Sequence, residues 1–307
     1  MIRYASRATG LAVLFLLTTT LTLHAQKEGK KKRIAVFSFA DKSDSNFGWG
    51  GAKSVGDGVS DMLVTELVQS GEYRVIEREQ INALLAEQDL GTQGIVTAQS
   101  AAQIGQMLGV EIAVFGAVTE FGYKDRDSGV RIGGTRVGVG KQSAVAAVDI
   151  RMVNTTTGEI ITAENVRETK NALSGNVSYK QYDFGSQADF DQSLIGKVTR
   201  ECVENVVDLV NDNAGRIPWM AKVVTVQGGQ VYINSGSLDG VQVGDTFTVY
   251  RKGKALVDPD TGLELGSIDE KVGMLKVTDN SVGNGKAAIC SIVSGSGFER
   301  NDMVKEQ

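Results

Sequence analysis

The residue types that most often carry catalysis are scarce in this 307-residue chain. Its only histidine, His24, lies inside an apolar N-terminal run. Ser–His–Asp triads, HExxH zinc sites and imidazole acid–base chemistry therefore have no residue to build on. Carboxylates are plentiful, but none falls in a recognisable catalytic spacing, so an exported hydrolase finds no motif. Cys202 falls on an apolar helical stripe and Cys290 in an apolar run over 288–293. Export would permit a disulfide, yet the pattern predicts two buried thiols, because a bridge would have to pin a domain joint. The glycines of 48–51 are not followed by GKS or GKT, and no GxGxxG follows a strand there, which argues against a phosphate cradle. Asp258-Pro259-Asp260-Thr261-Gly262 lacks the spacing and terminal Glu of an EF-hand loop and reads as a hairpin turn. No cofactor and no metal are expected. What remains is recognition rather than reaction. Asn46, Phe47 and Trp49 sit in Ser45-Asn46-Phe47-Gly48-Trp49-Gly50-Gly51, where glycines let aromatic rings project without a helix or strand of their own. Such a loop narrows a pore or binds a partner; the alternative is that both rings cap the domain core.

Two Gly/Ser-rich, Pro-free segments, 127–147 and 172–192, supply the second set of candidates. In the second, Leu173, Val177 and Tyr179 alternate with polar residues, as do Phe184, Ala188 and Phe190. Side chains alternate across a strand, so this spacing sorts apolar from polar groups onto opposite faces. A tilted strand needs about 9–11 residues to span a bilayer. Segment 172–192 holds two such strands with almost no turn. In the first segment Val130, Ile132, Val137 and Val139 are the apolar candidates, sharing it with Arg131, Arg136 and Lys141. Its alternation changes phase near Gly133-Gly134. A charge facing lipid at the midplane costs about 2–4 kcal/mol, so these cations must face a lumen or the rim. Membrane hairpins are one reading of the two segments; a hairpin pair capping a periplasmic sheet is the other.

The elements that must position these groups begin after residue 25. Arg3 and Arg7, the apolar run 11–23 and Leu23-His24-Ala25 form a secretory signal peptide, with cleavage expected after Ala25. The first cysteine is Cys202, so lipidation at an N-terminal Cys is not expected. Export from the cytoplasm follows. Cleavage takes the net charge from −5 to −7. An acidic chain whose one basic cluster, 27–33, reads as a solvated leader is a poor nucleic-acid binder. No later segment is long enough for a transmembrane helix, so any crossing must use strands.

Between 33 and 214 the chain reads βαβαβββα, with an additional short helix. Strands are expected at 33–39, 73–77, 111–122, 144–154 and 159–169; helices at 55–67, 79–88, 97–108 and 194–213. This is an α+β arrangement, an α/β sandwich with two inserted β-hairpins at 127–147 and 172–192. Pro218 marks a linker, and 215–307 forms a small all-β, barrel-like domain of short strands punctuated by Asp239-Gly240, Gly244-Asp245 and Asn284-Gly285.

These elements carry a resemblance. Ile34-Ala35-Val36, the run MLVTEL at 62–67, Val75-Ile76-Glu77-Arg78, residues 113–116 and above all RMVNTTTGEI at 151–160 resemble the CsgG family, the curli production assembly and transport components. The likeness runs in order from 33 to 213. It implies a non-enzymatic outer-membrane component that forms a homo-oligomeric ring. Each subunit would give two hairpins to one large barrel, an aromatic loop corresponding to 41–51 would narrow the channel, and an exported protein or polymer would be the cargo. An envelope scaffold that binds a partner and makes no pore is the alternative. The chain departs from that family in its missing lipidation Cys, its shorter hairpin segments and its added C-terminal domain. That domain is similar to the C-terminal domain of flagellar assembly protein T at 240–245, 258–262 and Leu265-Gly266.

Overall fold

A computed structural model describes residues 29–43, 54–77, 81, 105, 107, 109–132, 135–173, 187–257, 259–260 and 264–306. The first domain is a mixed sheet in the order β3-β1-β4-β5-β6, built from β1 (Lys32–Val36), β3 (Tyr73–Val75), β4 (Ile112–Ile132), β5 (Thr135–Asn154) and β6 (Ile160–Leu173). The short β2 (Ala40–Asp41) joins β4 in parallel. β1 pairs in parallel with β3 and β4, whereas β4–β5–β6 is an antiparallel meander.

Two helices cover one sheet face. α1 (Val55–Ser70) begins at Ser54, whose hydroxyl accepts the Asp57 N–H, and ends at Gly71, whose φ of 71° suits a residue without Cβ. α3 (Leu194–Ala214) begins at Ser193, which accepts the Gly196 N–H at 3.0 Å. Val59, Leu63 and Leu67 of α1 and Val198, Cys202, Val206 and Val210 of α3 meet Ile112, Val114, Val148, Ile150 and Met152 of the sheet in one buried cluster. The opposite face carries a smaller cluster, with Phe37 and Phe115 stacked at 4.3 Å. The family-like run at 151–160 is the β5–β6 turn, where Gly158 takes a φ of 77°.

The second domain is a closed six-stranded barrel, ordered β12-β13-β8-β7-β14-β9, with every pair antiparallel. Its strands are β7 (Met220–Gln227), β8 (Gln230–Ile233), β9 (Thr246–Arg251), β12 (Glu270–Ser281), β13 (Ala287–Gly295) and β14 (Met303–Glu306). The barrel-like expectation is met, and closure leaves no free sheet edge. β14 completes the barrel by pairing with both β7 and β9. The expected hairpin turn around Asp258-Pro259 also stands, since β10 (Ala255–Val257) pairs antiparallel with β11 (Glu264–Ser267). Cys202 lies in the first domain's core and Cys290 in the barrel's, both as free buried thiols, as expected. Burial pushes each up to about 12; for Cys202, Glu168 adds to this.

The domains meet where β1 and β4 begin. The Arg33 guanidinium donates to Glu111 Oε1 at 3.1 Å and to the Met220 carbonyl at 2.7 Å, while the Met220 N–H donates to the same carboxylate. Nearby, Arg74 Nη1 bridges to Asp239 at 3.1 Å, and Lys32 Nζ donates to the Ala214 carbonyl at 2.8 Å. Within the described part of the basic cluster, Lys30, Lys32 and Arg33 are therefore not simply solvated, while Lys27 lies outside the described residues. Lys30, Lys32 and Arg33 are drawn into the joint because buried carboxylates and carbonyls there need donors.

Candidate functional site

β4 and β5 run far beyond the helices. Twenty-one and twenty residues long, they extend about 70 Å at about 3.4 Å per residue. Segment 127–147 is thus no insert between strands but the continuation of two core strands into one long ribbon. Nine paired positions, from Lys124↔Ser143 to Ile132↔Thr135, lie beyond the buried Tyr123–Ala144 level. β6 accompanies the ribbon up to Leu173↔Lys141.

The register decides which residues share a face. Val130 pairs with Val137, Arg131 with Arg136, Ser128 with Val139, and Ile132 with Thr135. Positions 130, 132, 137 and 139 therefore fall on one face, and 131 and 136 on the other. The phase change at Gly133-Gly134, two residues outside the described set, is what a two-residue connection requires. An even-numbered strand face must continue on odd numbers after it.

A β-bulge at Thr119 sets which face this is. Before it, the even positions Ile112, Val114 and Val118 pack against the helices; after it, Phe121 and Tyr123 do. A bulge adds one unpaired residue and so inverts the parity. The valine-rich face consequently continues the sheet face opposite the helices, and positions 131 and 136 continue the helix side.

A polar belt marks the ribbon's base on the valine side. Arg167 Nε donates to Glu120 Oε1 at 3.0 Å and Lys124 Nζ to Glu120 Oε2 at 2.5 Å, spanning the small, buried Ala147. Hydrogen bonds from Arg167 and Lys124 hold the Glu120 carboxyl down at about 2. Arg126 and Lys141 occupy the next paired position on the same face. On the helix side, the Ile195 N–H donates to the Tyr123 hydroxyl at 3.3 Å, tying the ribbon to the start of α3.

The second predicted hairpin divides. Val177, Tyr179 and Phe184 lie outside the described residues, as do Asn46, Phe47 and Trp49. Ala188 and Phe190 are not on a strand; they belong to the helix α2 (Gln187–Gln192), and Phe190 is only 3% exposed in the first domain's core. α2 and α3 are separate helices, broken at Ser193, whose backbone is extended, and Phe190 packs in the same core cluster as Ile195 and Val198 of α3. At the end of the 184–190 alternation, Ala188 and Phe190 alone are too few to fix a period. Sequence reasoning also missed Glu111 and Arg33 as partners. The available signal was their opposite charge at the starts of two strands paired at Ile34↔Ile112.

The profile described as Curli production assembly/transport component CsgG matches residues 17–242. The chain belongs to the CsgG family. The match reaches past Pro218 into the first two barrel strands. A lipoprotein candidate of Neisseria meningitidis serogroup B, NMB1126/NMB1164, is 31% identical over 199 residues, covering 62% of this chain and 82% of that protein. Among solved structures, the hypothetical protein CT253 of Chlamydia trachomatis aligns with a TM-score of 0.40 at 16% identity, over 60% of this chain and 97% of that one. Lipoprotein GNA1162 of Neisseria meningitidis aligns at 0.33 and 13%, over 59% and 99%. The PelC dodecamer of Paraburkholderia phytofirmans aligns at 0.32 and 13%, over 58% and 86%. In this CsgG-family chain the described residues hold no cluster of His, Cys, Asp or Glu suited to a metal, and no helix among them is long and apolar enough to cross a membrane.

Proposed function

We propose that this CsgG-family protein is a non-enzymatic component of secretion or assembly at the outer membrane, forming a homo-oligomeric ring that conducts or guides an exported protein or polymer. The observation that carries this reading is the β4–β5 ribbon, with apolar positions 130, 132, 137 and 139 on one face and arginine positions 131 and 136 on the other. That division matches a strand pair with lipid on one side and a wet lumen on the other. Beyond β2 the outer edge of β4 pairs with no strand among the described residues, so the ribbon offers backbone donors and acceptors to a neighbouring copy. The family and the lipoprotein relatives support an envelope location. Phe47 and Trp49 are assigned to a constriction or partner loop, and 173–184 to the second hairpin.

A second reading draws on the height of the apolar face. From Ser128 to Ile132 it spans about 14 Å at about 3.4 Å per residue, against an apolar band of about 25 Å in outer-membrane barrels. A ribbon of this height also suits an envelope scaffold that docks a partner without a pore. The closed barrel favours this, since small β-barrels commonly serve as recognition modules.

Single-particle imaging of detergent-extracted protein separates the two. The export reading expects a ring with a detergent belt, and expects the belt to vanish when 126–141 is replaced by a short glycine turn. A monomer that fractionates without detergent and is unchanged by the replacement overturns the export reading and leaves the scaffold.

A further inference from the structure

The barrel turns an acidic, aromatic recess toward the first domain. Trp219 and Phe247 are buried and stacked at 5.2 Å, with ring planes 29° apart. Glu306 pairs with Phe247 across β14 and β9, and Asp245 lies in the turn leading into β9. All four belong to the barrel or its linker. The side chain that fills the recess comes from residue 30. Lys30 Nζ stands 5.7 Å from the Trp219 ring centroid and 5.2 Å from that of Phe247. It lies 3.1 Å from Asp245 Oδ2 and 2.7 Å from Glu306 Oε1, with its side chain only 5% exposed. Asp245 is itself held in place, its Oδ2 accepting the Gln242 N–H at 3.0 Å. The backbone beside Lys30 is fixed too, since the Lys31 N–H donates to the Asp239 carbonyl at 2.9 Å.

Two ring faces and two carboxylates converging on one point form a receptor for a small desolvated cation. A primary ammonium suits it better than a guanidinium: its compact charge reaches both carboxylates while its methylene stem lies along the rings. We propose that the barrel carries a binding site for a primary alkylammonium ion, which the chain fills with its own Lys30 to clasp the barrel onto the first domain. The clasp holds the barrel at the end of the sheet where β1 and β4 start, opposite the ribbon tip. It stands independently of whether the ribbon meets lipid.

Chemical rescue tests it. Trp49→Phe leaves Trp219 as the one tryptophan of the full chain, and Lys30→Ala in that background empties the recess. Titration with n-butylammonium chloride, at ionic strength held constant with sodium chloride, is expected to change Trp219 emission saturably and to raise the thermal midpoint of the Lys30→Ala chain. The Lys30 parent is expected to give no such response, nor the variant with 1-butanol, the neutral isostere. Equal responses to butanol and butylammonium, or none to either, overturn the proposal. Should Lys30→Ala not fold, Lys30→Met and Lys30→Arg replace it. Met, which keeps the stem without the charge, is expected to raise trypsin cleavage near Pro218 several-fold and Arg to raise it less; cleavage by Met no faster than in the parent overturns the clasp.

Discussion

Glu120 is the residue at which the ribbon's base answers to pH. Hydrogen bonds from Arg167 and Lys124 lower its carboxyl from the ordinary 4.5 to about 2. A carboxylate depressed on folding contributes stability above its unfolded value and loses it as pH falls through the folded one. This contribution is therefore complete above pH 4.5 and drains away toward about pH 2. The participating side chains are 35–59% exposed, so solvent screening holds the pair to under about 1 kcal/mol. Glu120→Gln is expected to flatten the acid limb of the melting temperature between pH 4.5 and 2 and to reduce its salt dependence, read by circular dichroism. A variant whose acid limb superimposes on the parent's would show that these hydrogen bonds do not hold the carboxyl in solution. None of this was legible in the sequence, since Glu120 and Arg167 meet only across β5.

Helix and strand periods explain most of what the elements do, and also the one element misassigned. Phe190 reads as strand in the alternation of 184–190, yet it lies on the short helix α2 and packs into the first domain's core. Phe190→Ala is expected to destabilise that domain by about 3–5 kcal/mol, measured by urea denaturation, because it leaves a cavity in a close-packed core. A lipid-facing Phe190 would leave the urea midpoint of the first domain unchanged, so the measurement distinguishes helix from hairpin directly. The β4–β5 ribbon shows the complementary case. Alternation in 127–147 marks strand, and residues 127–132 pair with 135–140 in one ribbon; the phase change near Gly133-Gly134 lies outside the described residues. The bulge at Thr119 is invisible to that pattern, because an extra residue is recognised only against the partner strand it fails to pair with.

Across the whole molecule, the joint between sheet and barrel rests on buried charge. Removing one partner of a buried, hydrogen-bonded pair strands the other, at a cost of about 3–5 kcal/mol, whereas replacing both with apolar residues is often near neutral. Glu111→Leu and Arg33→Met are each expected to destabilise the chain by that amount in urea, and the double variant to recover most of it. Additive losses would mean that the two side chains act separately. The ribbon tip and the barrel occupy opposite ends of the same sheet, because β4 starts at the joint and ends at the tip. The helices expected at 79–88 and 97–108 lie almost wholly outside the described residues. The sequence by itself determined the family, through RMVNTTTGEI and the motifs around it, together with the order of the described strands and helices in the first domain, the β5–β6 turn and a barrel-like second domain. These follow from local preferences, such as apolar periods, turn glycines and helix caps, which a window of a few residues contains. Only the tertiary structure decided which face of the ribbon is apolar, that Phe190 is core, and that Lys30, Lys32 and Arg33 pair at the joint rather than in solvent. Each depends on a partner far along the chain: Arg33 meets Glu111 across 78 positions and the Met220 carbonyl across 187. Such pairings are chosen by the packed sheet and barrel, which bring together charges that no local pattern relates.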